Sequence, residues 1–88
     1  MTALPTINLN GSAASTLYEL NFDAVKKLDE AIEFLAKAAP HGRDYQIGPV
    51  HWWQVLDEHQ RRMERLVATR EELLEITESI LRQTQERT

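Results

Sequence analysis

The stretch Pro40-His41-Gly42-Arg43-Asp44-Tyr45-Gln46-Ile47-Gly48-Pro49 decides how this chain of 88 residues folds. It contains two of the three prolines and two of the three glycines of the sequence. Proline and glycine are the residues that interrupt helices, and neither occurs at positions 12–39 or 50–88. The stretch therefore predicts a loop over residues 40–49 that joins two helices.

The segment before the loop has the periodicity of an amphipathic helix. Its start lies between Ser12 and Thr16, which are both suitable N-cap residues, and Pro40 stops it. We predict a helix over 13–39, preceded by an extended arm over 1–12. The arm lies over the helices, stays disordered or adds a strand to a partner. The apolar residues of the helix recur at spacings of three and four: Leu17, Leu20, Ala24, Val25, Leu28, Ala31, Ile32, Leu35 and Ala38.

The segment after the loop predicts a longer helix over 50–86, because Pro49 suits a first turn. A turn centred on residues 44–45 pairs the helices so that facing residue numbers add up to about 90. In that register Asn21 faces Arg70, and we predict that they hydrogen-bond to each other. The second helix would then extend past the first beyond Leu74. Its apolar stripe comprises Trp52, Leu56, His59, Met63, Leu66, Leu73, Ile76 and Ile80.

Both apolar stripes are wider than the single seam that two helices can bury. We therefore predict an all-α fold: one domain over 1–88, an antiparallel two-helix hairpin that completes its core by oligomerisation. A dimer resembling a four-helix bundle, or a higher assembly, would serve. The arm (Leu4, Ile7, Leu9) is an alternative cover for the end of the second helix. The predicted oligomer interface comprises Phe22, Phe34, Ile76, Ile80 and Leu81.

Composition limits the environment and the partners. Cysteine is absent, which favours a reducing cytoplasm and excludes thiolate metal sites. The formal net charge of −4 argues against general nucleic-acid binding, which needs a basic surface. We find no signal-peptide pattern and no apolar run near the ~20 residues that a membrane helix requires.

The most function-like cluster is in the loop, where His41, Arg43, Asp44 and Tyr45 lie close together. Arg43 could bind a phosphate or a carboxylate in a forked geometry. Tyr45 and the two tryptophans that follow the loop, Trp52 and Trp53, could stack on a base. The same residues can also be explained as a structural turn with aromatic packing, one tryptophan in the core and one at an interface.

Patterns for catalysis and metal binding are missing from the sequence. There is no glycine-rich phosphate loop and no nucleophile motif, so we predict a non-enzyme without a cofactor. His51 and His59 do not have the spacing of helical zinc ligands, and we predict no metal site. The arginines at 61–65 alternate with acids at helical spacing, which indicates an exposed face of ion pairs.

Two motifs resemble a family. The leader Ile7-Asn8-Leu9-Asn10-Gly11-Ser12 and the turn Ala39-Pro40-His41-Gly42-Arg43-Asp44-Tyr45 are similar to those of short phage and prophage proteins, which share a leader, a helix, a Gly-Arg-Asp-Tyr-Tyr-like turn and a second helix. Gln46 stands where the family pattern has a second aromatic residue. The resemblance implies a phage origin and carries no assigned activity.

The functional hypothesis is a non-catalytic phage protein that counters host defence in the host cytoplasm. It would sequester a nucleotide-like anionic ligand at a site between subunits near residues 41–53. One alternative is an inhibitor or adaptor that grips a host protein complex through the second helix or the arm. Another is a minor structural or assembly component of the phage.

Overall fold

Two long helices form the described part of this chain. The computed structural model describes residues 2–7, 11–41 and 49–86. Helix α1 spans Gly11–Lys37 and helix α2 spans Pro49–Glu86, and these described ranges contain no strand. The two helices pack against each other in antiparallel directions. The prediction of two antiparallel helices in an all-α hairpin is therefore confirmed for the described residues.

The end of α1 shows why the helix stops before Pro40. The Ala38 N–H donates to the carbonyls of both Phe34 (3.0 Å) and Leu35 (3.1 Å), and the Ala39 N–H donates to Ala36 (3.3 Å). This shift to closer partners tightens the last turn, as the residue before a proline disfavours helical backbone. The helix therefore ends at Lys37, and its positive charge suits the C-terminal end of the helix dipole.

The register between the helices differs from the predicted one. Asp29 pairs with Arg70, and Tyr18 lines one groove with Leu81, so facing residue numbers add up to about 99 instead of about 90. The prediction assumed a tight turn, whereas the segment between Lys37 and Pro49 is long enough to allow an offset. The part of α2 that extends past α1 is therefore its beginning, up to about residue 61. The prediction that α2 overshoots at its other end, beyond Leu74, is wrong.

The predicted hydrogen bond between Asn21 and Arg70 is also wrong. The Asn21 Nδ2 donates to the Leu17 carbonyl one turn earlier, at 2.9 Å. Arg70 instead pairs with Asp29 across the seam, and its Nη1 lies 3.7 Å from a Glu71 carboxylate oxygen. The hydrogen bond to Asp29 raises the pKa of Arg70, which outweighs the opposite effect of desolvation. The change of register brings Asp29 to the level of Arg70.

The leader closes one end of the hairpin. Ile7, Ala14 and Ile80 are buried together at 6%, 5% and 1% exposure. The Ile7 N–H donates to Oε1 of Gln83 (2.9 Å), and Nε2 of the same side chain donates to the Pro5 carbonyl (3.0 Å). These two hydrogen bonds hold an irregular segment on α2 while Ile7 fills the gap beside Ile80. Ile80 is thus covered within the chain, by the leader and the start of α1; Leu9 lies outside the described residues.

The molecule is a thin rod. Its principal extents are 61, 23 and 14 Å between Cα positions. The described residues contain two helices that pack side by side, which makes a single layer. Helices in one layer leave both broad faces open to solvent. The apolar residues buried among the described ones are correspondingly few: Ile7, Ala14, Val25, Val55 and Ile80.

The buried end around Ile80 gives a first prediction. Ile80→Ala removes a side chain that is 1% exposed, and we expect it to lower the free energy of unfolding by about 3 kcal/mol. Leu81→Ala is the matched control, because Leu81 is the next residue and is 43% exposed. We expect this control to cost about 1 kcal/mol or less. Equal losses in urea unfolding would contradict the assignment of Ile80 to the core.

The hydrogen bonds of Gln83 give a second prediction. Gln83→Ala removes both of its contacts with the leader, so we expect the Ile7 amide to exchange with deuterium roughly tenfold faster. Gln54→Ala is the control, because Gln54 bonds only to Glu58 among the described contacts. Unchanged exchange at Ile7 in the Gln83 variant would show that the leader is held in another way.

Candidate binding surfaces

The structure describes three of the six predicted ligand-binding residues, and all three lie at the end of the rod nearest the loop. His41 is exposed, Trp52 is half-buried and Trp53 is 68% exposed. The other three, Arg43, Asp44 and Tyr45, lie outside the described residues. The two tryptophans point in directions about 100° apart because they are adjacent in a helix. Trp53 therefore presents most of its ring to solvent.

A groove runs between the helices next to this end. It has a volume of about 620 Å³ and lies where α1 finishes against the middle of α2. His59 is half-buried in it, in keeping with its place on the apolar stripe. Its wall is mostly apolar, and its main members are Ala36, Ala39, Met63, Val67 and Ala68.

The five residues predicted for an oligomer interface have different environments. Phe22 is 40% exposed and stacks on Tyr18, with ring centroids 5.8 Å apart. Phe34 is 65% exposed, and the Lys37 Nζ lies 4.9 Å from its ring centroid. Ile76 is half-buried beside the leader cluster that buries Ile80, and Leu81 is 43% exposed.

Part of the predicted seam lies on the surface instead. Leu20 belongs to the apolar stripe of α1 but is 64% exposed. The face that meets α2 is centred on Ala14, Tyr18, Val25 and Asp29. Leu20 lies on the outer flank of α1, about 150° around the helix from the centre of that face. A second groove of about 420 Å³ runs along this flank, lined by Ala13, Thr16, Leu17 and Leu20. Sequence reasoning missed this surface, although the spacing of its residues was visible.

The charged faces carry local ion pairs. Arg61 pairs with Asp57 at 2.8 Å, one turn apart on an exposed face, as predicted for the arginine-rich segment. Lys26 lies 3.3 Å from Asp23, and Lys27 lies 3.6 Å from Glu30. Exposed pairs of this kind contribute about 0–1 kcal/mol each, so they keep the faces hydrated more than they stabilise the fold.

The described residues contain no cluster of three or more His, Asp or Glu side chains arranged to hold a metal ion. Within the same ranges, neither helix has a stretch apolar and long enough to cross a membrane. Every buried side-chain nitrogen and oxygen among these residues has a hydrogen-bond partner.

Comparison with protein-family models, with curated proteins and with solved structures finds no match to this chain.

The unequal exposure of the two tryptophans is directly measurable. Trp52→Phe leaves Trp53 as the sole tryptophan, and Trp53→Phe leaves Trp52. We expect the protein that retains Trp53 to emit at longer wavelength and to be quenched more strongly by acrylamide, because that indole is 68% exposed. The reverse order in dilute solution would contradict the structure at this end of the rod.

Proposed function

We propose that this chain is a non-catalytic binding protein that works as a homo-oligomer and grips a partner protein with one side of α2. The observation that carries this is a row of large apolar side chains left in solvent. Trp53, Val67 and Leu81 are 68%, 41% and 43% exposed. Fourteen residues are about four helical turns, so Val67 lies within about 40° of each of the other two around α2, and the row winds by about 80° in all from Trp53 to Leu81.

The row is long enough to bind an extended partner surface. At about 1.5 Å per residue, it covers roughly 42 Å of the helix from Trp53 to Leu81. Half-buried Met63 and Leu74 fill the intervals between its members. A helix that presents anchors at regular turns is a common way to occupy an apolar groove or to pair with an amphipathic helix. Large aromatic residues such as Trp53 often supply much of the binding energy in such interfaces.

The resemblance to short phage and prophage proteins supplies a biological context for this proposal. A small phage protein that binds without catalysis can act against host defence by holding a host protein in an inactive complex. We place that action in the host cytoplasm. The host target is identified by the capture experiment described below.

A second candidate function is sequestration of a nucleotide-like anionic ligand at the loop end. The observation that favours it is the exposure of Trp53 beside the loop, since stacking of a base on an aromatic side chain contributes about 1–3 kcal/mol. Exposed His41 lies at the beginning of the same loop. Arg43 and Tyr45 would complete this site.

Native mass spectrometry of the freshly purified chain, followed by capture of host proteins on matched variants, separates the two candidates. The first proposal expects an oligomer without added ligand mass, and expects Val67→Glu to abolish both capture and anti-defence activity. Thr69→Glu is the control, because Thr69 is an exposed polar residue two positions away on another side of α2. Circular dichroism verifies that both variants stay helical.

Other results would support the second candidate or reject the row on α2 as the binding surface. An added mass of a few hundred daltons per site, lost in Trp53→Ala and retained in Val67→Glu, would replace the first candidate with the second. If Val67→Glu and Thr69→Glu captured the same host protein equally well, the row on α2 would not be the binding surface.

A further inference from the structure

We propose that two copies of this chain pair in antiparallel fashion through the outer flank of α1. The Phe34 ring of each copy would bind in the groove formed by Ala13, Thr16, Leu17 and Leu20 of the other. This inference rests on the oligomer that the proposed function requires, and it assigns that oligomer a surface. The surface is separate from the row on α2 that faces the partner protein.

The flank of α1 has an unbroken apolar stripe of large and small residues. Its members recur at spacings of three and four, which is the pattern that lets helices interlock along a shared seam. Leu20 is 64% exposed, the alanines at 13, 31 and 38 are exposed, and the remaining members are half-buried. The stripe comprises Ala13, Leu17, Leu20, Ala24, Leu28, Ala31, Leu35 and Ala38.

The order of these residues is complementary to itself when the stripe is reversed. If facing residue numbers in the two copies add up to about 51, Leu20 of one copy meets Ala31 of the other, and Ala13 meets Ala38. Leu28 meets Ala24 within one position of the same register. Large residues thus oppose small ones over the middle of the stripe, which is the arrangement that allows two helices to approach closely, while Leu17 meets Leu35 towards each end. A two-fold axis then repeats every contact, as a closed dimer requires.

Phe34 and the groove fit the same register independently. Phe34 is 65% exposed, with Lys37 against its ring. The groove is a shallow depression of about 420 Å³ that is open to solvent, and its four residues have the spacing of a hole that receives one side chain from a facing helix. In the antiparallel register, Phe34 of one copy reaches the level of Thr16 and Leu17 of the other. The two-fold axis therefore repeats this contact, so that each exposed aromatic ring binds in the open groove of the other copy.

The charges near the axis permit this approach. The register brings Asp23 of one copy towards Glu30 of the other, which would be unfavourable if these carboxylates were alone. Within each copy, however, Lys26 lies 3.3 Å from Asp23 and Lys27 lies 3.6 Å from Glu30. Lys27 also comes to within one position of Asp23 of the other copy. Each copy thus contributes two positive and two negative charges, and the centre of the interface is neutral.

The chain exposes more surface than a compact monomer of its mass. The chain exposes 6741 Å², whereas a folded monomer of this mass is expected to expose about 5,300 Å². The excess of about 1,400 Å² exceeds the roughly 800 Å² that each partner buries in an interface of standard size. The hairpin can therefore bury one flank in a dimer and still present the row on α2.

Paired cysteines test the register, because the chain has no cysteine of its own. In Leu20→Cys/Ala31→Cys, the two positions lie on one helix about 16 Å apart, beyond the roughly 7 Å limit for a disulfide. Oxidation can then link them only between copies, and we expect a covalent dimer. Leu20→Cys/Ala38→Cys is the mismatched control, because it is out of register by about 10 Å. We expect far less covalent dimer from the control, and equal yields would overturn the proposed register.

Phe34→Asp tests the contact itself. We expect sedimentation analysis to show that Phe34→Asp raises the dissociation constant of the dimer at least roughly tenfold. Trp53→Asp, at another exposed aromatic residue, should leave the dimer intact. A dimer that withstands Phe34→Asp and fails to cross-link between positions 20 and 31 would overturn this pairing and leave the proposed function standing. A wild-type chain that is monomeric at every concentration measured would overturn both the pairing and the oligomer.

Discussion

Two helices share one seam, and the rest of this structure depends on that constraint. The seam buries a narrow line of residues, among them Val25 and Ile80, and the described part of the chain has no second layer of helices. Apolar residues beyond that line remain in water, at a cost of about 25 cal/mol per Å² of apolar surface that a partner could cover. The exposed flank of α1 and the exposed row on α2 are both results of this geometry.

Much of the fold could be predicted from the sequence because the governing signals are local. Proline and glycine are confined to the leader and the loop, and the apolar residues between them follow helical periodicity. The register was not predictable in this way, because helical periodicity does not state which residues of the two helices face each other. The prediction for Arg70 was wrong for the same reason, since its partner is set by register.

The candidate surfaces were harder to predict than the helices. A stripe more than 100° wide does not state which of its residues face the seam, so Leu20 and Val25 looked equivalent although they are 64% and 3% exposed. Likewise, the adjacent tryptophans identified an aromatic region, but the sequence did not tell which of them is exposed. The side that each helix turns towards the other determines which part of its stripe is buried and which part is open, and that depends on how the two helices pack.

The leader introduces an order of events into the folding of this rod. The hydrogen bond between Ile7 and Gln83 joins residues that are 76 positions apart. At a synthesis rate of about 5–20 residues per second, Gln83 follows Ile7 by roughly 4–15 s. During that interval Ile7 has no docking surface on α2, because the surface around Ile80 has not yet been made. The leader therefore cannot close the apolar end of the hairpin until the C-terminal part of α2 has been synthesised.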